Sequence, residues 1–139
     1  MRKSASILAL LAITLVCSTT LASAQAGPSS MSLNLKWVGV WQGQLEGFPG
    51  VVLTLGDDLG ELSGTMVFTA IRDGVIAGHT THNILHPHLD GNRLSFQVEG
   101  PRDGDHMLEM SLDLTGDSKG KLLCAKCEAA PPIAMEKIP

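Results

Sequence analysis

Tyrosine is absent from this 139-residue chain, and only three Phe and two Trp are present. A core so short of aromatics has to be built mainly from Leu, Val, Ile and Met. Cysteine is scarce as well, with only Cys17, Cys124 and Cys127. One close pair without a second pair disfavours a four-cysteine structural zinc site. Basic residues number 10 against 14 acidic ones, which argues against nucleic acid and anionic lipid surfaces as partners. There is no G-x-S-x-G elbow, and no serine has a spacing that recommends it as a nucleophile. Asp57, Asp58, Asp73, Asp103 and Asp105 all fall in turn-like segments, where aspartate serves local hydrogen bonding. These absences exclude the common hydrolytic designs and lead to the reading of a non-enzymatic protein without a cofactor.

The chain opens with Arg2 and Lys3, an apolar run from Ile7 to Val16, and small residues with two small-x-small sites, Ala22-Ser23-Ala24 and Ala24-Gln25-Ala26. That pattern predicts a secretory signal over residues 1–26. The run is too short to cross a hydrocarbon layer of about 30 Å as a stable anchor. Cys17 offers a lipidation alternative, but Val16 before it is larger than such a site prefers. Loss of Arg2 and Lys3 takes the formal net charge from −4 to −6. Residues 27–35 read as a flexible lead-in and 36–139 as one domain, exported to the periplasm or the extracellular space.

From Lys36 to Phe68 the residues alternate in polarity. Trp41, Gly43 and Leu45 alternate with Gln42, Gln44 and Glu46, and the pattern resumes at Val51-Leu53-Leu55 and at Leu62-Gly64-Met66-Phe68. Period-two alternation is what a strand with one buried and one wet face requires. Strands are expected at Val38–Glu46, Val51–Leu55, Leu59–Phe68, Val75–His79, Asn83–Leu89, Asn92–Glu99, His106–Leu114, Gly120–Cys124 and Ile133–Ile138, separated by Gly-, Pro- and Asp-rich turns. Asp90-Gly91 is the strongest hairpin signal. A two-residue loop there sets Leu85 opposite Phe96, Pro87 opposite Leu94, His86 opposite Ser95 and His88 opposite Arg93. The fold class expected is all-β, an antiparallel up-and-down meander of eight to nine strands closed into a barrel, because closure removes exposed edges. A two-sheet sandwich is the alternative.

Trp41-x-Gly43-x-Leu45, Val52-x-Thr54-Leu55, Gly60-x-Leu62-Ser63-Gly64-Thr65, Leu89-Asp90-Gly91-x-x-Leu94-Ser95-Phe96-x-Val98 and Pro132-Ile133-x-Met135 together resemble a small secreted bacterial β domain. That domain occurs alone or ahead of exported hydrolase and peptidase domains. The Gly39-x-Trp41 start also resembles the lipocalin-like (calycin) barrels, although their Thr-Asp-Tyr segment has no counterpart in a chain without Tyr. The function of the small secreted domain is itself largely uncharacterised; the chain reads as a binding or interaction module, whose expected partner is a small apolar molecule or another exported protein.

Three groups of residues are candidates for chemistry. In GHTTHNILHPHLDG, His82, His86 and His88 share a parity, and His86 and His88 are spaced as strand metal ligands can be. The expected register puts them on the wet face beside Arg93, which disfavours a cation there. A secreted metal-binding or redox accessory protein using His79–His88 and the CAKC pair is the alternative function. Cys124 and Cys127 invite comparison with a thioredoxin-like pair, but no helix or βαβ pattern surrounds them. In an oxidising compartment a local disulfide with a turn at Ala125-Lys126 is expected instead. Trp37 and Trp41 either line a cavity mouth as ligand-binding residues or plug one end of the barrel.

Overall fold

The computed structural model describes residues 34–45, 48–101, 106–127 and 130–139. The expected signal segment with its cleavage sites and Cys17, the expected lead-in over 27–33, and residues 46–47, 102–105 and 128–129 lie outside the described residues. Among the described residues one helical turn at 34–37 is followed by nine strands: β1 (Gly39–Leu45), β2 (Phe48–Asp58), β3 (Glu61–Arg72), β4 (Val75–Asn83), β5 (Leu85–Asp90), β6 (Arg93–Glu99), β7 (Met107–Leu114), β8 (Lys119–Cys124) and β9 (Ile133–Ile138). All belong to one sheet, in the order β4-β3-β2-β1-β9-β8-β7-β6-β5, and every neighbouring pair is antiparallel. The all-β antiparallel meander is therefore the fold, and the two-sheet sandwich is not.

The sheet curls strongly into a half-barrel. Its first and last strands pair with each other, Val40 opposite Ile138 and Gly43 opposite Met135. The seam lies between β4 and β5, which are the two edges although only Ile84 separates them in the chain. Antiparallel pairing all round the sheet requires β4 and β5 to run in the same direction. They are successive parts of one bent strand, the first half pairing with β3 and the second with β6. The edges are thus joined through the chain rather than by a ladder. Ile84 is buried, and its N–H donates to the Gly64 carbonyl of β3 at 3.0 Å.

Because cross-strand partners share a face, the pairings separate the inside from the outside. Inside run Trp41–Leu53–Met66 and Leu89–Leu94–Leu112–Leu122, with Val51, Leu55, Leu62, Phe96, Val98, Met110 and Met135 closing the core. The alternation that predicts strands also predicts which side is buried. Gly64 is required by close approach, since a Cβ there would collide with the backbone carbonyl of Thr54 on β2.

The β5–β6 hairpin differs from expectation. Its loop is Gly91-Asn92, closed by Asp90 opposite Arg93, so Leu89 faces Leu94 and His88 faces Ser95. Gly91 takes a left-handed φ of +59°, which suits the first central position of a two-residue turn. Further along, Leu85 faces Gln97, and His86 and Pro87 together oppose Phe96. Proline has no N–H to give the ladder, and the extra residue is taken up as a bulge with His86 at φ +51°. Leu85 consequently lies 43% exposed rather than in the core.

Candidate functional site

Trp37 and Trp41 sit at one end of the curled sheet, and both are fully buried. The Trp41 indole N–H donates to the Trp37 carbonyl at 2.8 Å, while the Trp37 indole N–H is buried without a partner among the described residues. The turn at 34–37 is tied to both halves of the sheet. Asn34, only 5% exposed, donates from Nδ2 to Asp57 Oδ2 at 2.7 Å and to the Gly60 carbonyl at 3.0 Å. Lys36 Nζ donates to the Gly91 carbonyl at 3.0 Å and to Asn92 Oδ1 at 2.9 Å. Two ammonium groups flank the rings, Lys36 Nζ 5.4 Å from the Trp37 ring centre and Lys137 Nζ 5.7 Å from that of Trp41. In this arrangement the tryptophans form a plug, with no indole face open to a ligand. Asn34 belongs to the packed domain, not to a flexible lead-in. A lone polar residue ahead of Leu-Lys-Trp carries no pattern that would have revealed this.

The histidines are not brought together. His82 pairs with Met66 and therefore lies on the inner face, not on the wet face with His86 and His88. Its Nδ1 is 3.5 Å from Glu99 Oε2, its ring meets Phe68 edge-on at 6.1 Å, and its Nε2 is buried without a partner among the described residues. The residue count through Ile84 keeps the parity of His82 and His86, but the left-handed bulge at His86 breaks the regular strand on which that parity depends. His86 and His88 are exposed, and His86 borders a shallow depression with Arg93, Ser95, Gln97 and Glu109. Among the described residues no group of three or more His, Cys, Asp or Glu is placed to hold a metal ion.

Cys124 and Cys127 are joined by a disulfide across the Ala125-Lys126 turn, with Cα atoms 5.4 Å apart. Lys126 Nζ donates to Glu109 Oε1 of β7 at 2.8 Å, and the Ala125 N–H donates to the Glu109 carbonyl at 2.8 Å. The turn is thereby pinned to the sheet, and among the described residues no helix N-terminus lies beside it to favour a thiolate.

The outer face carries rows that no single stretch of sequence contains. Across β1–β4 its central rows are Val40–Thr54–Thr65–Asn83, Gln42–Val52–Val67–Thr81 and Thr69–His79, none of which contains Asp, Glu, Lys or Arg. Thr69 Oγ1 and His79 Nδ1 are 3.1 Å apart. Across β5–β8 the row at the hairpin end, Asp90–Arg93–Asp113–Lys121, is a ladder of alternating sign, and the row next to it, His88–Ser95–Ser111–Leu123, is free of Asp, Glu, Lys and Arg. The Arg93 guanidinium grips Asp113 with two bonds of 2.7 Å. That hydrogen bond, reinforced by charge, holds the Asp113 carboxyl below its ordinary range and raises Arg93 above its own. Where the two surfaces meet, over β1, β9 and β8, lies an open groove of about 1150 Å³ bordered by Gln42, Gln44, Lys119, Lys121 and Glu136.

The chain matches no protein-family model, no curated protein and no solved structure.

Proposed function

We propose that this protein is an exported, non-enzymatic β domain that works as an interaction module through its outer surface. One observation carries the proposal: the space inside the curl is taken up by apolar side chains, including both tryptophans and Met66, while an uncharged face on β1–β4 and the groove beside it remain open outside. A barrel that binds a small molecule internally needs an interior that side chains leave unfilled. Of the two partner classes that the sequence suggests, another exported protein therefore fits better than a small apolar molecule. The resemblance to the small secreted β domain that precedes hydrolase and peptidase domains points the same way, towards an accessory that docks rather than reacts. The Arg2, Lys3 and Ile7–Val16 leader supports export, and the mature chain should begin at Gln25 or Gly27, which the intact mass of secreted protein checks.

The test is capture of exported proteins on the immobilised mature chain. The parent should retain a partner that Val52→Lys and Val67→Lys variants lose while unfolding at unchanged denaturant concentration. Equal retention by parent and both variants, or no retention at all, would overturn the outer-face reading.

A further inference from the structure

The two edges of the sheet are unequal. Edge strands present unpaired N–H and C=O groups and are normally blunted by shortness, proline, bulges or charge. The β5 edge has three of these devices, being six residues long, carrying Pro87 and bulging at His86. The β4 edge is nine residues long and has neither proline nor charge, so a bulge at Ala77 is the one such device it carries among the described residues. From Val75 to Leu89 the chain contains no Asp, Glu, Lys or Arg at all. The end of β4 is sheltered, since His82 reaches Glu99 of β6. Its beginning is not: Val75, Ile76 and Ala77 are all exposed, Val75 to 65% and Ile76 to 40%.

We propose that two copies of this chain associate through this edge, β4 pairing with β4 of the second copy about a two-fold axis over Val75–Thr81. The inference rests on the reading of the chain as an interaction module and names one partner for it.

Three features favour a second copy over an unrelated strand. An antiparallel β4–β4 pairing is self-complementary, as a two-fold contact must be. The mature chain carries a net charge of −6, once Arg2 and Lys3 are removed, so two copies repel over most of their surface. They meet least opposition where neither presents a charge, and that is the β4 edge. Finally, one open edge and one blunted edge permit a single pairing per molecule, so association stops at two rather than growing into a fibre. Pairing over so short a strand places the contact at the small end of specific interfaces, below about 1,200 Å². The dimer should accordingly be weak and concentration-dependent.

Sedimentation equilibrium of the mature chain across the micromolar range tests the proposal. The parent should approach twice the monomer mass as concentration rises. Ile76→Lys places an ammonium group on each open edge and should weaken association on the order of tenfold. Leu85→Lys, on the blunted edge, should leave association unchanged. Unfolding curves for both variants show that each is folded. A parent that stays monomeric, one that grows beyond two copies, or a dimer indifferent to Ile76→Lys would overturn the β4 pairing. The capture experiment separates the two readings: a monomer that still retains an exported partner through Val52 and Val67 defeats only the dimer, whereas a monomer that retains nothing defeats both.

Discussion

Strands β1–β4 and β5–β8 bury the same kind of side chain, Leu53 and Met66 on one side of the sheet and Leu94 and Leu112 on the other, yet their outer faces differ. Outside β5–β8 an uncharged row, His88–Ser95–Ser111–Leu123, is flanked by one that alternates in charge, Asp90–Arg93–Asp113–Lys121, and by Glu109 beside Gln97. Outside the middle of β1–β4 they are Val, Thr, Gln, Asn and His. Folding constrains the inner faces alike, since both must fill one core from residues of similar volume. It places little constraint on the outer faces, where most substitutions change stability by less than about 0.5 kcal/mol. A difference confined to the side that folding leaves free is best sought in what each half meets in solution.

The largest effect should come where the halves share a core. Trp41→Ala removes a fully buried ring and its bond to the Trp37 carbonyl, and should destabilise the protein by about 3–5 kcal/mol. Denaturant unfolding measures this, and a loss below about 1 kcal/mol would mean that the ring does not join the two inner faces. Next comes the seam. In Gly64→Ala the new methyl group meets the Thr54 carbonyl, and the strand that must move also accepts the Ile84 N–H. A cost of about 1–3 kcal/mol is expected, accompanied by faster amide exchange at Ile84, whereas a neutral substitution would show that the halves are not tied there.

Smaller effects sharpen the contrast between the outer faces. Val67→Lys on β3 and Ser111→Lys on β7 should each change stability by no more than about 0.5 kcal/mol, but only the first should abolish partner capture. Equal loss of capture in both would erase the distinction between the halves. Smallest is Asp113→Asn. The folded-state pKa of Asp113 is depressed by Arg93, so its contribution to stability is fully present above the ordinary carboxylate range and is lost as pH falls through the lower, folded value. The wild type should exceed the variant at neutral pH and converge with it in acid, as read from unfolding midpoints across that range. Parallel curves would show that the Arg93–Asp113 pair contributes nothing.

The inner faces were legible in the sequence because alternation writes burial directly: Trp41, Leu53, Leu62 and Met66 lie at the positions that period two assigns to one side. The hairpin register was not, because Asp90-Gly91 and Gly91-Asn92 both satisfy a tight turn locally. The pairing of Asp90 with Arg93 and of Arg93 with Asp113 distinguishes them only once β7 is in place. His82 was misassigned for a related reason, since counting parity assumes an unbroken strand and the chain bends at Ile84 and bulges at His86. As for the candidate surface, the row Val52–Val67–Thr81 is assembled from three strands, and no sequence window contains it. The disulfide was legible because both cysteines lie within one turn.

The pairing of β1 with β9 also bears on how the chain folds. Every other ladder among the described residues joins strands that are neighbours in the chain, so each can form as a local hairpin, whereas Val40 meets Ile138 only once all the intervening strands have been made. Folding rates fall as such distant contacts come to dominate, and among the ladders of the described residues this one closes the longest loop. During synthesis β1 remains half paired, holding Trp41 beside an open edge, until Ile133–Ile138 arrive. Deleting Ile133–Ile138 should therefore do more than remove a short strand: it would leave two hairpin stacks joined only through the bent strand at Ile84, with their apolar faces free to part.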